Sequence, residues 1–195
     1  MKHWGRIAIP ALGAALAMAV LPAATWAQQP DAAALIASEQ AAMAKFAWMD
    51  GEWRGLAVTQ TATGEHRVTQ TERIGNLLDG TIKLVEGRGF NPDGSKGFNA
   101  FGVIAYDPAA QTFAFTSHAQ GQSGSFVMTP HDNGYVWEIP AGPMTIRYTA
   151  NLANGTWTEI GERIIPGRPP VKFFEMNLHR LGDSAWPGAG AMTAQ

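Results

Sequence analysis

The chain has 195 residues, with 14 basic and 16 acidic side chains, five histidines and no cysteine. That length fits one domain, and 46% hydrophobic against 15% charged residues excludes disorder over most of it. The slightly acidic balance excludes the basic face that a nucleic-acid partner requires, and the lack of cysteine excludes disulfides, thiolate metal sites, a cysteine nucleophile and a lipidated N-terminal cysteine.

Lys2, His3 and Arg6 open the chain, and Ile7 to Leu21 follows without a charge. Small residues at Thr25 and Ala27 then flank Trp26. A positive start, an apolar core and a small-residue site in this order predict a signal peptide over 1–27, cut after Ala27. The alternative, an uncleaved anchor, is disfavoured because the apolar core falls short of the roughly 20 residues that span hydrocarbon, and Pro10 and Gly13 interrupt it. The expected destination is periplasmic or secreted. Cleavage removes Lys2 and Arg6 and no acid, so the mature chain is more acidic than the precursor. No later run is apolar for long enough to span a bilayer, so no stable membrane insertion is expected after cleavage.

Residues 28–45 are the expected mature N-terminal segment, with Asp31 placed to cap a helix. Good helix formers run from Ala32 to Ala47. Leu35, Ala42, Phe46 and Met49 fall at helical spacing and predict one apolar face.

After Trp48 the pattern changes. Short runs rich in Val, Ile, Thr, Phe, Tyr and Trp alternate with Gly, Asn, Asp and Pro. About ten strands are predicted, near 52–61, 65–75, 80–90, 97–106, 111–118, 122–129, 134–140, 143–152, 156–165 and 170–181. Thr63-Gly64, Asp79-Gly80, Asn133-Gly134 and Asn154-Gly155 supply positive-φ positions for tight hairpins. Asn91-Pro92-Asp93-Gly94 is a turn, and Pro108 ends a strand. Loops this short exclude crossover helices and make neighbouring strands antiparallel. Many twisted strands curl or close, and closure removes exposed edges. The fold class expected is all-β: an up-and-down antiparallel β-barrel of about ten strands over 46–181, with one N-terminal α-helix. A two-sheet sandwich is the alternative. Residues 182–195 are expected to form a flexible tail.

Trp48-Met49-Asp50-Gly51-Glu52-Trp53-Arg54-Gly55 places Gly-x-Trp at the start of the first strand, just after a helix. This resembles the opening motif of the calycin superfamily, the lipocalins and their relatives. The resemblance implies that Trp53 closes one barrel end beneath an arginine of the last strand, here Arg180; cation–π stacking is the physical basis of such a pair. Together with Thr71-Glu72, Val85-Glu86-Gly87-Arg88-Gly89 and Phe101 to Pro108, the segment Phe46 to Leu181 is similar to a bacterial family of exported, lipocalin-like proteins of unknown function. That family is similar in shape to nitrobindin-like barrels, which hold haem through a histidine near the last strand. Here the corresponding place reads Phe173-Phe174-Glu175-Met176, without histidine, and alternation turns His179 away from Arg180's face. No cofactor is expected; haem is retained only as the cofactor this likeness raises.

Strand residues alternate inside and outside. If Arg180 points inward, so do Leu178, Met176 and Phe174. Ile82, Leu84, Glu86, Arg88 and Phe90 share a face, so Glu86 and Arg88 form either a buried pair in a cavity or a solvated one. Gln70, Glu72 and Ile74 share another, as do Trp157, Glu159, Gly161 and Arg163. An inward Glu72 or Glu159 with Arg147 or Arg163 nearby makes a polar floor in an apolar cup, the composition of a binding site; otherwise these charges sit outside. His66, His118, His131 and His179 lack metal-ligand spacing, so no metal site is expected. There is no Gly-x-Ser-x-Gly elbow and no dinucleotide fingerprint. Gly121 to Ser125 reads as a hairpin, and Gly87-Arg88-Gly89 as a bulge.

The expected ligand contacts are Phe101, Tyr106, His118, Trp137, Tyr148 and Met176, with Glu72 and Arg88 as polar candidates. The partner is a small apolar or amphipathic molecule. Two other classes stay open: an enzyme of isomerase or cyclase type using an inward Glu or His, and an interaction barrel filled by its own side chains. Oligomeric state is not legible.

Overall fold

The computed structural model describes residues 31–188, so the expected signal peptide and its cut after Ala27 lie outside the described residues. Asp31 accepts the Ala33 N–H at 3.1 Å and starts helix α1, Ala32–Met43. The chain then tightens into a 3-10 segment, Ala44–Met49, where the sequence predicts continued α-helix. That change reorders the apolar face. Met43, Phe46 and Met49 are buried at steps of three, while Leu35 remains 37% exposed. A 3-10 turn stacks residues i and i+3, so three side chains enter the barrel in one column.

Ten strands follow: β1 Gly51–Thr61, β2 Gly64–Leu77, β3 Ile82–Phe90, β4 Lys96–Asp107, β5 Thr112–Ala119, β6 Gln122–His131, β7 Gly134–Ala141, β8 Met144–Ala153, β9 Thr156–Ile164 and β10 Val171–Gly182. Each pairs antiparallel with its successor, and β10 returns to β1, closing the barrel. The sandwich alternative is thereby excluded. The hairpins form where turn residues predict them; Asn154 and Gly155 both take positive φ, as a two-residue turn between right-twisted strands requires.

The barrel has two unlike ends. Odd strands begin, and even strands finish, at the end filled by Ala44–Met49. Phe46 meets Phe113 edge-on at 5.1 Å, and Trp48 meets Trp157 at 5.2 Å and stacks on Tyr135 at 6.1 Å. Trp53 packs on Trp157 and donates its indole N–H to the Met49 carbonyl at 2.8 Å. Lys83, 1% exposed, donates to Asp50 and to Asn76 Oδ1, the latter at 2.7 Å, and Asn76 donates to Asp50 at 3.1 Å. This polar cluster pins the plug to β2 and β3.

Trp53 lies opposite Arg180 in the β1–β10 ladder, but the expected Trp–Arg stack does not form. Arg180 is exposed and donates to the Asp50 carbonyl at 3.1 Å and to Asp183. Trp53 packs edge-on with Trp157, and the Arg180 guanidinium is engaged by the Asp50 carbonyl and Asp183 instead. The chain beyond β10 is not free at its start. Trp186 lies 4.7 Å beneath the Arg73 guanidinium, and its carbonyl crosses so close to Gly75 that a Cβ there would sit 2.1 Å from it.

One seam is short. β7 pairs with β8 from Gly134 to Ala141, yet with β6 only from Gly134 to Trp137. Residues Gln122–Val127 of β6 therefore have ladder partners on β5 alone.

Phe46 is fully enclosed by the plug contacts. Phe46→Ala is expected to lower stability by about 3–5 kcal/mol, read as a lower urea midpoint at unchanged m-value. Asp50→Ala, which strands the buried Lys83 ammonium, is expected to lower the midpoint in the same direction.

Candidate ligand cavity

Above the plug the barrel is hollow. A cavity of about 500 Å³ runs from Tyr135, Trp157 and Glu159 at the floor toward the opposite hairpins. This falls within the range of small-molecule sites. Inward glycines and small residues leave the room. At Gly102 an added Cβ would sit 2.3 Å from the Phe115 ring, and at Gly124 2.5 Å from Phe126. The aromatic side chains thus lean over backbone where no side chain competes.

Trp137 organises the wall. It stacks on Tyr148 at 4.6 Å, nearly parallel, and meets Phe115 at 5.0 Å and Phe126 at 5.4 Å. Tyr148 in turn touches Phe173 and Phe174. The β-bulge in β10 at this level lets both consecutive phenylalanines line the cavity.

The floor is acidic. Glu159 accepts a hydrogen bond from the Tyr135 hydroxyl, and Glu72 accepts one from Gln70 Nε2 at 2.7 Å. Gln70 and Glu72 on β2 face Gly89 and Gly87 on β3. A Cβ at Gly87 would lie 2.8 Å from Glu72 Oε1, so this glycine makes the space for the carboxyl. Burial pushes the Glu72 carboxyl up to about 8, against the lowering pull of the Gln70 amide, and the nearby Glu159 charge adds to the rise. Burial likewise raises Glu159, to about 7, despite the Tyr135 hydrogen bond. Burial and the Glu159 charge push the Tyr135 hydroxyl well above its ordinary value, so it stays a donor. No lysine or arginine lines the cavity, and its one histidine, His66, comes from the mouth end of β2.

The predicted contacts divide. Glu72, Trp137, Tyr148 and Met176 line the cavity. Phe101 also borders the cavity, although it is 37% exposed and in register with Glu86 and His118. Tyr106 is half-buried but packs against Phe113 at 4.8 Å, below the floor and outside the cavity lining. Arg88 and His118 point outward. Arg88 and Arg73 grip Glu86 on the barrel's outside, Arg73 at 2.6 Å, so the buried reading of the Glu86–Arg88 pair is corrected. The reason is the pair of glycines: β3 turns Lys83, Val85, Gly87 and Gly89 inward, because only glycines fit opposite Glu72 and Gln70. His118 is exposed beside Ser117, which takes the inward place.

Neither arginine proposed for the polar floor reaches it. Arg147 pairs with Glu138 at 2.7 Å outside, and Arg163 rests over the Phe173 ring at 4.4 Å. Tyr135 and Gln70 are absent from the predicted contacts, and Glu159 is expected only as one of two alternatives for a polar floor. Tyr135 and Gln70 carried no signal beyond alternation.

The residues present do not fit a haem ligated from the last strand. β10 turns Phe174, Met176 and Leu178 inward, while His179 is exposed and lies 3.4 Å from the Thr156 hydroxyl. A buried carboxyl pair also faces the space a macrocycle would fill. Among the described residues no group of three or more histidines and carboxylates could hold a metal ion, and no helix is long and apolar enough to cross a membrane.

No family model matches the chain, and no curated protein does. Among solved structures it is similar to the one described as the crystal structure of Rv2717c from M. tuberculosis. The TM-score is 0.55 at 9% identity, covering 72% of this chain and 98% of that one. At this identity the likeness is one of fold alone.

The raised carboxyls make stability depend on pH. An unfolded chain loses the Glu72 proton near 4.5, while the folded chain holds it to about 8. Between those values the unfolded state binds fewer protons, so stability falls as pH rises and levels off above the window. Glu86, held low by Arg88 and Arg73, acts separately, at the acid end. Urea unfolding at pH 5 and pH 8.5 is expected to give the lower midpoint at pH 8.5. Glu72→Gln with Glu159→Gln is expected to remove most of that difference.

Proposed function

We propose that the chain is an exported binding protein of lipocalin-like type, holding a small apolar or amphipathic molecule inside the barrel. The observation that carries this reading is the aromatic cavity of about 500 Å³, plugged at one end and open at the other. A barrel that served only as an interaction surface would have no reason to hold its interior open with inward glycines at 102 and 124 beneath aromatic rings. Apolar walls with a few placed polar groups are what recognition of an apolar body with one polar function needs. No cofactor is part of the proposal. The calycin kinship is part of it, supported by Gly51-Glu52-Trp53 following a helix and by the ten-strand closure.

A second reading is favoured by one observation, the carboxyl pair at the floor. With pKa values pushed to about 8 and about 7, Glu72 stays protonated at neutral pH while Glu159 is partly ionised. Such a pair suits general acid–base chemistry, as an isomerase or cyclase of apolar substrates would use it. Binding without turnover separates the first reading from the second.

Nile red, a neutral apolar dye, is expected to bind the mature protein one to one with a gain in fluorescence. Ser117→Phe, which puts a ring into the cavity, is expected to weaken binding by about tenfold or more at unchanged fold, whereas His118→Ala is expected to change it little. Failure of the dye to bind, or equal binding to Ser117→Phe, would count against the cavity as the site. Intact mass of protein from the periplasmic fraction is expected to begin at Gln28; a full-length mass there would remove the export proposal.

A further inference from the structure

The floor of the cavity is short of cations. Glu159 is nine-tenths buried and uses one oxygen on Tyr135; Glu72 uses one on Gln70. Among the described residues no donor reaches the second oxygen of either carboxyl, and no basic side chain lines the space between them and the mouth apart from His66. Every ion pair among the described residues is made by other acids, toward solvent or beneath the plug. The walls above the carboxyls are π faces: Trp137, Tyr148, Phe115 and Phe126. Aromatic faces attract cations and repel anions. A carboxylate ligand would meet two acids, and a neutral ligand would leave the carboxyls to share protons. An ammonium group would satisfy both free oxygens with charge-assisted hydrogen bonds, and its apolar body would fill the aromatic wall.

Resting on the binding reading above, we infer that the molecule this barrel takes is an apolar amine, bound head first, with its protonated nitrogen between Glu72 and Glu159 and its hydrocarbon against Trp137 and Tyr148. Proton balance follows from the arrangement. At neutral pH Glu72 holds its proton and Glu159 is partly ionised, and an arriving ammonium displaces the protons that remain to solvent as both carboxyls ionise. Affinity for an amine therefore rises with pH until the amine itself loses its proton, while affinity for a neutral molecule of the same shape does not. The titratable and charged groups around the site are Glu72, Glu159, Tyr135 and Tyr148, with His66 at the mouth, Arg163 over the Phe173 ring and Glu86 on the outer face of β3. His66→Gln removes the one basic side chain that lines the cavity and is the control that isolates the floor.

The test is calorimetric titration of the mature protein with a matched trio, 2-(2-naphthyl)ethylamine, 2-(2-naphthyl)ethanol and 2-naphthylacetate, at pH 6 and pH 8. The amine is expected to bind about tenfold or more tighter than the alcohol at pH 8, with the acetate weakest. Its affinity is expected to rise several-fold from pH 6 to pH 8, in wild type and in His66→Gln, with proton release seen as a dependence on buffer ionisation heat. In Glu72→Gln with Glu159→Gln the amine's advantage over the alcohol is expected to collapse to about threefold or less. Each glutamine replaces a carboxyl by a neutral amide of nearly the same shape, so this variant keeps the floor filled, and Nile red binding checks its fold. Equal binding of amine and alcohol, or an advantage that survives in the glutamine variant, overturns the amine inference and leaves the binding reading intact. Nile red bound with none of the trio bound overturns it too. Failure of Nile red and of all three probes takes down the binding reading itself.

Discussion

Everything in this barrel is set by the wedge of Phe46, Trp48 and Met49 into one of its ends. The three side chains come from a single 3-10 turn, and they meet Phe113, Tyr135, Trp157 and Trp53, all from the beginnings of odd strands. An up-and-down barrel closed on itself has no core unless something fills it. Here the filling occupies only the lower part. The hydrophobic gain is concentrated in the plug, where Trp53, Trp157, Phe46, Met49, Ile74, Ile104 and Leu178 are sealed from water. The upper part is free to stay hollow because it does not have to hold the fold together.

The wedge also explains the acids. Tyr135 and Trp157 serve two layers at once, packing beneath against Trp48 and facing the cavity above. Glu72 and Glu159 sit immediately over this layer, in a place that solvent barely reaches. Removing carboxylates from water without a cation costs free energy, and the chain meets that cost by holding protons rather than by importing an arginine. The contrast with Lys83 is instructive. It is sealed from water, but at the plug it is given Asp50 and Asn76, which balance its charge locally. The floor acids are balanced only conditionally.

Most of the fold was legible. Alternation and turn chemistry located all ten strands within a few residues, because short hairpins tie local sequence directly to global order. The α-helix was legible in place, and only its end differs, tightening into the 3-10 segment Ala44–Met49. Periodicity placed Leu35 on the buried face, but the chain changes pitch at Ala44, and Met43, Phe46 and Met49 are what the barrel receives. The site was half legible. Trp137, Tyr148, Met176 and Glu72 were found by asking which residues repeat every second position. On β3 the solvated reading of Glu86 and Arg88 is the one that holds, and Arg88 as a cavity candidate came from the outward face. The informative residues there were Gly87 and Gly89, and their meaning lies on β2, where Glu72 and Gln70 need the room. Cross-strand register is not a property of one strand's sequence, so no pattern within residues 80–90 contained the answer. The arginine expected over Trp53 is held by partners its own strand's sequence does not display, the Asp50 carbonyl and Asp183.

The β6–β7 seam carries a consequence for motion. Closure at β1–β10 is joined over eight residue pairs, but β6 and β7 share only four. Backbone groups of Gln122–Val127 that turn toward β7 lack ladder partners, and contact across the gap at that level is side chain to side chain, Phe126 against Trp137. A structure opens first where buried contacts and hydrogen bonds are fewest. Amide exchange in this barrel should thus be fastest along β6, with the plug and the β1–β10 closure slowest. The wall that parts most readily is the one carrying the ring on which the cavity's aromatic stack is centred, so breathing of the fold and rearrangement of the cavity wall are one event.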